Sequence, residues 1–130
     1  MSDVTLQGEF GQGGAPIVES GSNANGTYIK YADGTMVCVK RESINTEING
    51  TSGALYTSPT EPGRSFPQTF TALLFVNISV DSSANSLTFV ASDINDPASL
   101  SSWPSYRLAD SSSQGSAAYN VNYLAIGRWK

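Results

Sequence analysis

Apolar and polar residues alternate along much of this chain, the period of two that marks half-buried β-strands. The clearest case is NGTYIKYADGTMVCVKR, Asn25 to Arg41. Tyr28, Lys30 and Ala32 alternate with Ile29 and Tyr31, then Met36, Cys38 and Lys40 with Val37 and Val39. Asp33-Gly34 separates the runs, which predicts a β-hairpin closed by a type I′ turn with positive φ at both residues. Asn25-Gly26 marks its entry and Glu42-Ser43 its exit. Farther on, Leu74, Val76, Ile78 and Val80 share one face, opposite Phe75, Asn77 and Ser79. After a turn at Asp81–Asn85, Leu87, Phe89 and Ala91 alternate with Thr88, Val90 and Ser92. These two runs are expected to pair as the central strands of a sandwich. The last run, Ala117 to Lys130, puts Val121, Tyr123, Ala125 and Gly127 on one face and Leu124 and Ile126 on the other. Apolar residues on both faces predict a central strand or one packed at a subunit interface.

Shorter strands are expected at Ala54–Thr57 and Ser105–Ala109, with Ile44–Arg64 otherwise turn-rich and polar. Six or seven short strands spaced by turn signals predict an all-β fold, a small antiparallel β-sandwich. Residues 1–26 differ. They hold four glycines between Gly8 and Gly14 and little periodicity, which reads as an N-terminal arm or adaptor. The division expected is therefore an arm at 1–26 and a sandwich tip domain at 27–130. At 130 residues the chain is one domain by size.

Composition narrows the function. Charged residues make up 14% and the net charge is -4, with seven basic residues scattered along the chain. Nucleic-acid binding needs clustered Lys and Arg, so no such partner is expected, and Lys40-Arg41 reads as a solvated strand end. The longest apolar run, Ala72 to Val76, is too short to span a bilayer, and the N-terminus lacks the pattern of a secretory signal. A protein made without export and not inserted in a membrane is the expectation. Cys38 is the lone cysteine and sits in an apolar strand, which predicts a buried hydrophobe and no intrachain disulfide.

There is no histidine, so the commonest general base and zinc ligand are missing. No catalytic residue, metal site or cofactor is expected. Asp93 and Asp96 are close in sequence, but a glycosidase pair comes from separate elements lining a deep groove, so they read as turn caps. With Asn95 they also lack the spacing of a dedicated calcium site. A binding module fits better. Sugars are held by an aromatic face against their C–H surface and by amide, carboxylate and guanidinium groups on their hydroxyls. The loop from Asn95 to Arg107 supplies Asn95, Asp96, Trp103, Tyr106 and Arg107. The competing reading is that Trp103 and Tyr106 plug the end of the sandwich. Trp129 reads as a packing residue, and Tyr28 and Tyr31, on opposite strand faces, cannot both be core.

The run ESGSNANGTYIKYADGTMVC resembles the opening of the head domain at the distal tip of phage and prophage tail fibres, and YLAIGRWK resembles its terminal strand. With the FPQTF-centred run between them, the resemblance covers roughly residues 19 to 130. The C-terminal half is similar to H-type lectins, whose last strand reads WxAIGRW; Tyr123 stands at the first aromatic position here. The resemblance implies an H-type lectin-like sandwich, a parallel homotrimer, and recognition of lipopolysaccharide or another bacterial surface glycan. It also implies a place in the virion, with residues 1–26 joining further fibre or baseplate proteins. Trp103 lies where those lectins place a sugar-contacting aromatic. Their sugar-contacting histidine has no counterpart.

Overall fold

The computed structural model describes residues 15–81, 87–92 and 99–130. Among them are nine strands: β1 (Ile17–Asn23), β2 (Gly26–Tyr31), β3 (Thr35–Ile48), β4 (Gly50–Ser52), β5 (Leu55–Thr57), β6 (Ala72–Val80), β7 (Phe89–Ser92), β8 (Tyr106–Asp110) and β9 (Gln114–Arg128). They form two antiparallel sheets, a five-stranded one ordered β1-β2-β3-β9-β6 and a four-stranded one ordered β4-β5-β8-β7. This is the small all-β sandwich that the alternation predicts.

Two long strands make its spine. β3 and β9 pair from Thr35↔Arg128 to Ile48↔Gln114, with one irregularity between Thr46 and Ile48. Cross-strand partners share a face, so Met36, Cys38, Val121 and Ala125 point inward together, and all are buried. β9 has β3 on one side and β6 on the other, the central position expected of it. Val76, Ile78 and Val80 of β6 extend the inner face beside Ala125, Tyr123 and Val121. The second sheet contributes Tyr106 and Leu108 of β8, with Val90 opposite Leu108. Phe66, Phe70 and Trp103 complete the core from the connecting segments.

Four expectations are corrected. β6 and β7 do not pair: β6 is the edge of the large sheet, on β9, and β7 the edge of the small one, on β8. Alternation says which side chains face the core, and each strand finds a matching inner face across from it in a different sheet. Next, β3 does not end at Glu42-Ser43. It runs 14 residues to Ile48, because β9 offers a continuous ladder that overrides the polar composition, and Ile44 and Ile48 are buried. Third, Ile17–Asn23 of the expected arm is a strand, paired with β2; residues 1–14 lie outside those described.

The fourth correction is the hairpin turn. Only Gly34 of the Asp33-Gly34 pair has positive φ, at 97°, and no described non-glycine residue does. Gly34 N–H donates to the Tyr31 carbonyl at 3.0 Å, so the loop holds three residues, Ala32 to Gly34, with glycine last. The three-residue hairpin needs a left-handed residue only at that last position. The Asp33 carboxylate instead accepts from Thr35 N–H at 2.9 Å. The chain end holds this turn: Arg128 Nη2 donates to the Asp33 carbonyl at 2.6 Å, Trp129 N–H to that of Gly34 at 2.9 Å, and Trp129 Nε1 to that of Tyr31 at 2.8 Å. Trp129 thus has the packing role its sequence position suggested.

Candidate functional site

The segment expected to grip a sugar is partly core. Trp103 and Tyr106 are each 1% exposed. The segment from Glu61 to Phe70 zips along residues 100–106 and turns both rings inward: Trp103 N–H donates to the Arg64 carbonyl, Phe66 N–H to Ser101, Phe70 N–H to Leu100, and Glu61 exchanges bonds with Tyr106. Trp103 then meets Phe66 edge-on, with centroids 4.6 Å apart, and lies 5.3 Å from Tyr123. Neither ring presents a face to solvent, which corrects the expectation of an aromatic platform in favour of the plug reading. Arg107 points outward, its Nε donating to Thr60 Oγ1 at 3.1 Å. Asn95 and Asp96 lie outside the described residues.

Behind those rings runs a chain of polar groups. Tyr106 and Tyr123 share a hydroxyl–hydroxyl bond of 2.6 Å, and Tyr123 donates to Glu42 Oε2 at 2.5 Å. Arg64 Nε lies 3.4 Å from the same oxygen, Lys40 Nζ 3.4 Å from Oε1, and Arg64 Nη2 3.4 Å from Glu61. Burial opposes ionisation of Glu42, but the Tyr123 hydroxyl, Arg64 and Lys40 outweigh it and hold its carboxyl below the usual value. Burial, with bonds to Glu42 and Tyr106, pushes the Tyr123 phenol far up, so it stays a donor. These groups satisfy one another and tie β3 and β9 of the large sheet to β8 of the small one and to the segment carrying Arg64. The arrangement is architectural.

The outer face of the large sheet is different. Ile29, Val37, Ile126 and Phe75 form one row across β2, β3, β9 and β6. Thr27, Val39, Leu124 and Asn77 form the next. Neither row carries a charge. Phe75 is 51% and Val39 41% exposed, and Leu74, the bulge residue beside Phe75, is 70% exposed.

Below these rows the surface turns polar. β2 pairs with β3 only as far as Thr27↔Val39, whereas β3 and β9 continue together. A groove of about 560 Å³ opens where β2 stops. Asn23, Ala24 and Thr27 form one wall, Val39 and Leu124 the floor, and Arg41 and Asn122 the far end. Arg41 donates through Nη1 to Asn122 Oδ1 and through Nη2 to Asp81 Oδ2, the latter at 2.6 Å, and Asn122 Nδ2 donates to Asp81 Oδ1 at 3.1 Å. The three side chains close a ring of hydrogen bonds. The Arg41 bond, then that of Asn122, holds the Asp81 carboxyl below its usual value. Arg41 is solvent-exposed, as the sequence suggests, but lies in the middle of β3 and not at its end. Its partners lie 40 and 81 residues away, beyond any local signal.

No protein-family model matches the sequence, and no curated protein does. Solved structures do. The fold is similar to that of pyocin tail fibres. An N-truncated R1-type pyocin tail fibre superposes with a TM-score of 0.50 at 20% identity, covering 98% of this chain and 97% of that one. A P. aeruginosa R1 pyocin fibre fragment of C-terminal residues 323–701 gives 0.51 at 19% identity, and this chain spans 32% of its length. At such identity the likeness is one of fold, and it runs end to end.

Proposed function

We propose that this chain is the receptor-binding tip of a phage or prophage tail fibre. It assembles as a homotrimer and attaches to the bacterial host by binding a surface glycan such as lipopolysaccharide. It works by recognition without catalysis, as part of a virion or phage-like tail, with the segment ahead of β1 joining it to the rest of the fibre or to baseplate proteins. The observation that carries this reading is the end-to-end likeness in fold to an R1-type pyocin tail fibre. The outer face of the large sheet supports assembly: Ile29, Val37, Ile126 and Phe75 form an uncharged apolar row across four strands, with Phe75 51% exposed. The lectin-like character belongs to the same proposal and rests on the sequence resemblance.

Burial of Trp103 and Tyr106 favours a second reading, a structural fibre or virion-decoration trimer with no glycan site of its own. Two measurements on the purified chain test these. Light scattering at micromolar concentration should give three times the chain mass, and a monomer would overturn the assembly. An array of bacterial surface glycans should show at least one specific ligand. A stable trimer that binds none of them would establish the structural role.

A further inference from the structure

We propose that the groove beside Arg41 and Asn122 is the glycan-binding site, and that its ligand is a neutral, hydroxyl-rich saccharide. This inference rests on the glycan-attachment reading above and gives it a place and a ligand class. The groove's volume, about 560 Å³, is in the range that holds small ligands. Its floor is apolar, formed by Val39 and Leu124, and can take the C–H face of a sugar ring in place of an aromatic. Its end is formed by Arg41 and Asn122, which Asp81 braces from outside the groove. A guanidinium has five N–H donors, and two of those on Arg41 are spent on Asn122 and Asp81. The remaining N–H groups, beside the second lone pair of the Asn122 carbonyl, set donors next to an acceptor, as a pair of neighbouring hydroxyls requires.

Charge decides the ligand class. The two cations on the groove are already paired, Arg41 with Asp81 at 2.6 Å and Lys40 with Glu42 at 3.4 Å, so neither is left as a bare charge to draw a carboxylate or phosphate. A neutral polyol needs no such charge. The site takes Val39 and Leu124 from the lower row and lies below the row of Ile29, Val37, Ile126 and Phe75, at the rim of the surface assigned to subunit contact, where a long surface polysaccharide can reach it.

The test uses the whole chain, panels of purified neutral and acidic bacterial polysaccharides, two groove variants, and Arg107→Ala as a comparison outside the groove. Arg41→Ala opens the ring of hydrogen bonds. Ala24→Trp, on the exposed turn between β1 and β2, fills the groove without touching the core. Wild type should bind a neutral polysaccharide with little dependence on salt. Both variants should weaken that binding about tenfold or more, Arg41→Ala by the loss of a charge-assisted hydrogen bond and Ala24→Trp by blocking the groove, while melting curve and oligomeric state stay unchanged. Should Arg41→Ala fail to fold, Ala24→Trp decides alone. If both folded variants bind like wild type, or if loss is confined to Arg107→Ala, the groove is overturned while glycan attachment stands. Binding restricted to acidic polysaccharides and lost at high salt would overturn the ligand class. A wild-type chain that binds nothing in the panel would overturn the attachment reading itself.

Discussion

Gly127 lies in the terminal IGRW run, on the buried face of β9. A Cβ there would sit 2.2 Å from the Ala72 carbonyl oxygen and 2.7 Å from Phe70 Cδ1, so close approach of β6 and Phe70 requires the glycine. Backbone cannot step aside cheaply, and Gly127→Ala should cost about 1–3 kcal/mol, read as a lower urea midpoint with the slope unchanged. Trp103 makes the opposite case. Its ring fills the space between Phe66 and Tyr123, and Trp103→Ala should cost about 3–5 kcal/mol. A variant that lost binding at undiminished stability would return the ring to a recognition role. Cys38 is fully buried, and burial pushes its thiol up to about 11 against the weaker pull of the Gln68 backbone N–H. Alkylation at neutral pH should therefore proceed only at the rate of unfolding. Labelling of the folded chain as fast as free cysteine would contradict that burial.

Between elements, the joint that stands out is the one Glu42 makes among β3, β9 and the segment carrying Arg64. The folded carboxyl titrates below its value of 4.5 in a free chain, so folding favours the ionised form. The stability it contributes is complete above that value and is lost as pH falls through the lower folded one. Glu42→Gln should lower stability at neutral pH by about 1 kcal/mol, since the amide oxygen still accepts from Tyr123 but no longer attracts Arg64 and Lys40. It should also flatten the decline in stability below about pH 5. Some decline will remain, because Glu19, Asp33 and Asp81 are also held below their usual values by bonds to Tyr28, Thr35 and Arg41. Chemical denaturation of both chains at a series of pH values checks this. An acid profile identical to wild type would show that Glu42 is no part of the joint.

At the scale of the whole molecule, the proposed assembly rests on the outer sheet face. Ile126 sits mid-row between Val37 and Phe75 and is only half-buried within one chain. Ile126→Asp should leave the single fold standing, because the carboxylate can reach water there, but a neighbouring copy would bury it unpaired. The expected outcome is a folded monomer by light scattering, with a circular dichroism spectrum like that of wild type. A variant that remained a trimer would place the subunit contact elsewhere. The outer edge of β6, unpaired among the described residues and beside exposed Leu74, is then the next place to examine.

Side-chain alternation by itself determined the strand class and much of the core. Met36, Cys38, Val76, Ile78, Val121, Tyr123 and Ala125 all face inward where the period of two puts them. Gly34 marks the hairpin, though only the folded turn, with Gly34 N–H on the Tyr31 carbonyl, shows a three-residue loop in place of a two-residue one. Strand partnership was decided by the tertiary structure. β6 and β7 are successive in sequence yet join different sheets, since a strand's pattern encodes its own faces and says nothing of whose backbone completes the ladder. The candidate site followed the same division. Trp103 is an aromatic in a polar sequence setting until Arg64 to Phe70 fold over it, and Arg41 is one surface cation until β9 brings Asn122 across from it. Both depend on contacts between segments far apart in the chain, which local composition cannot carry.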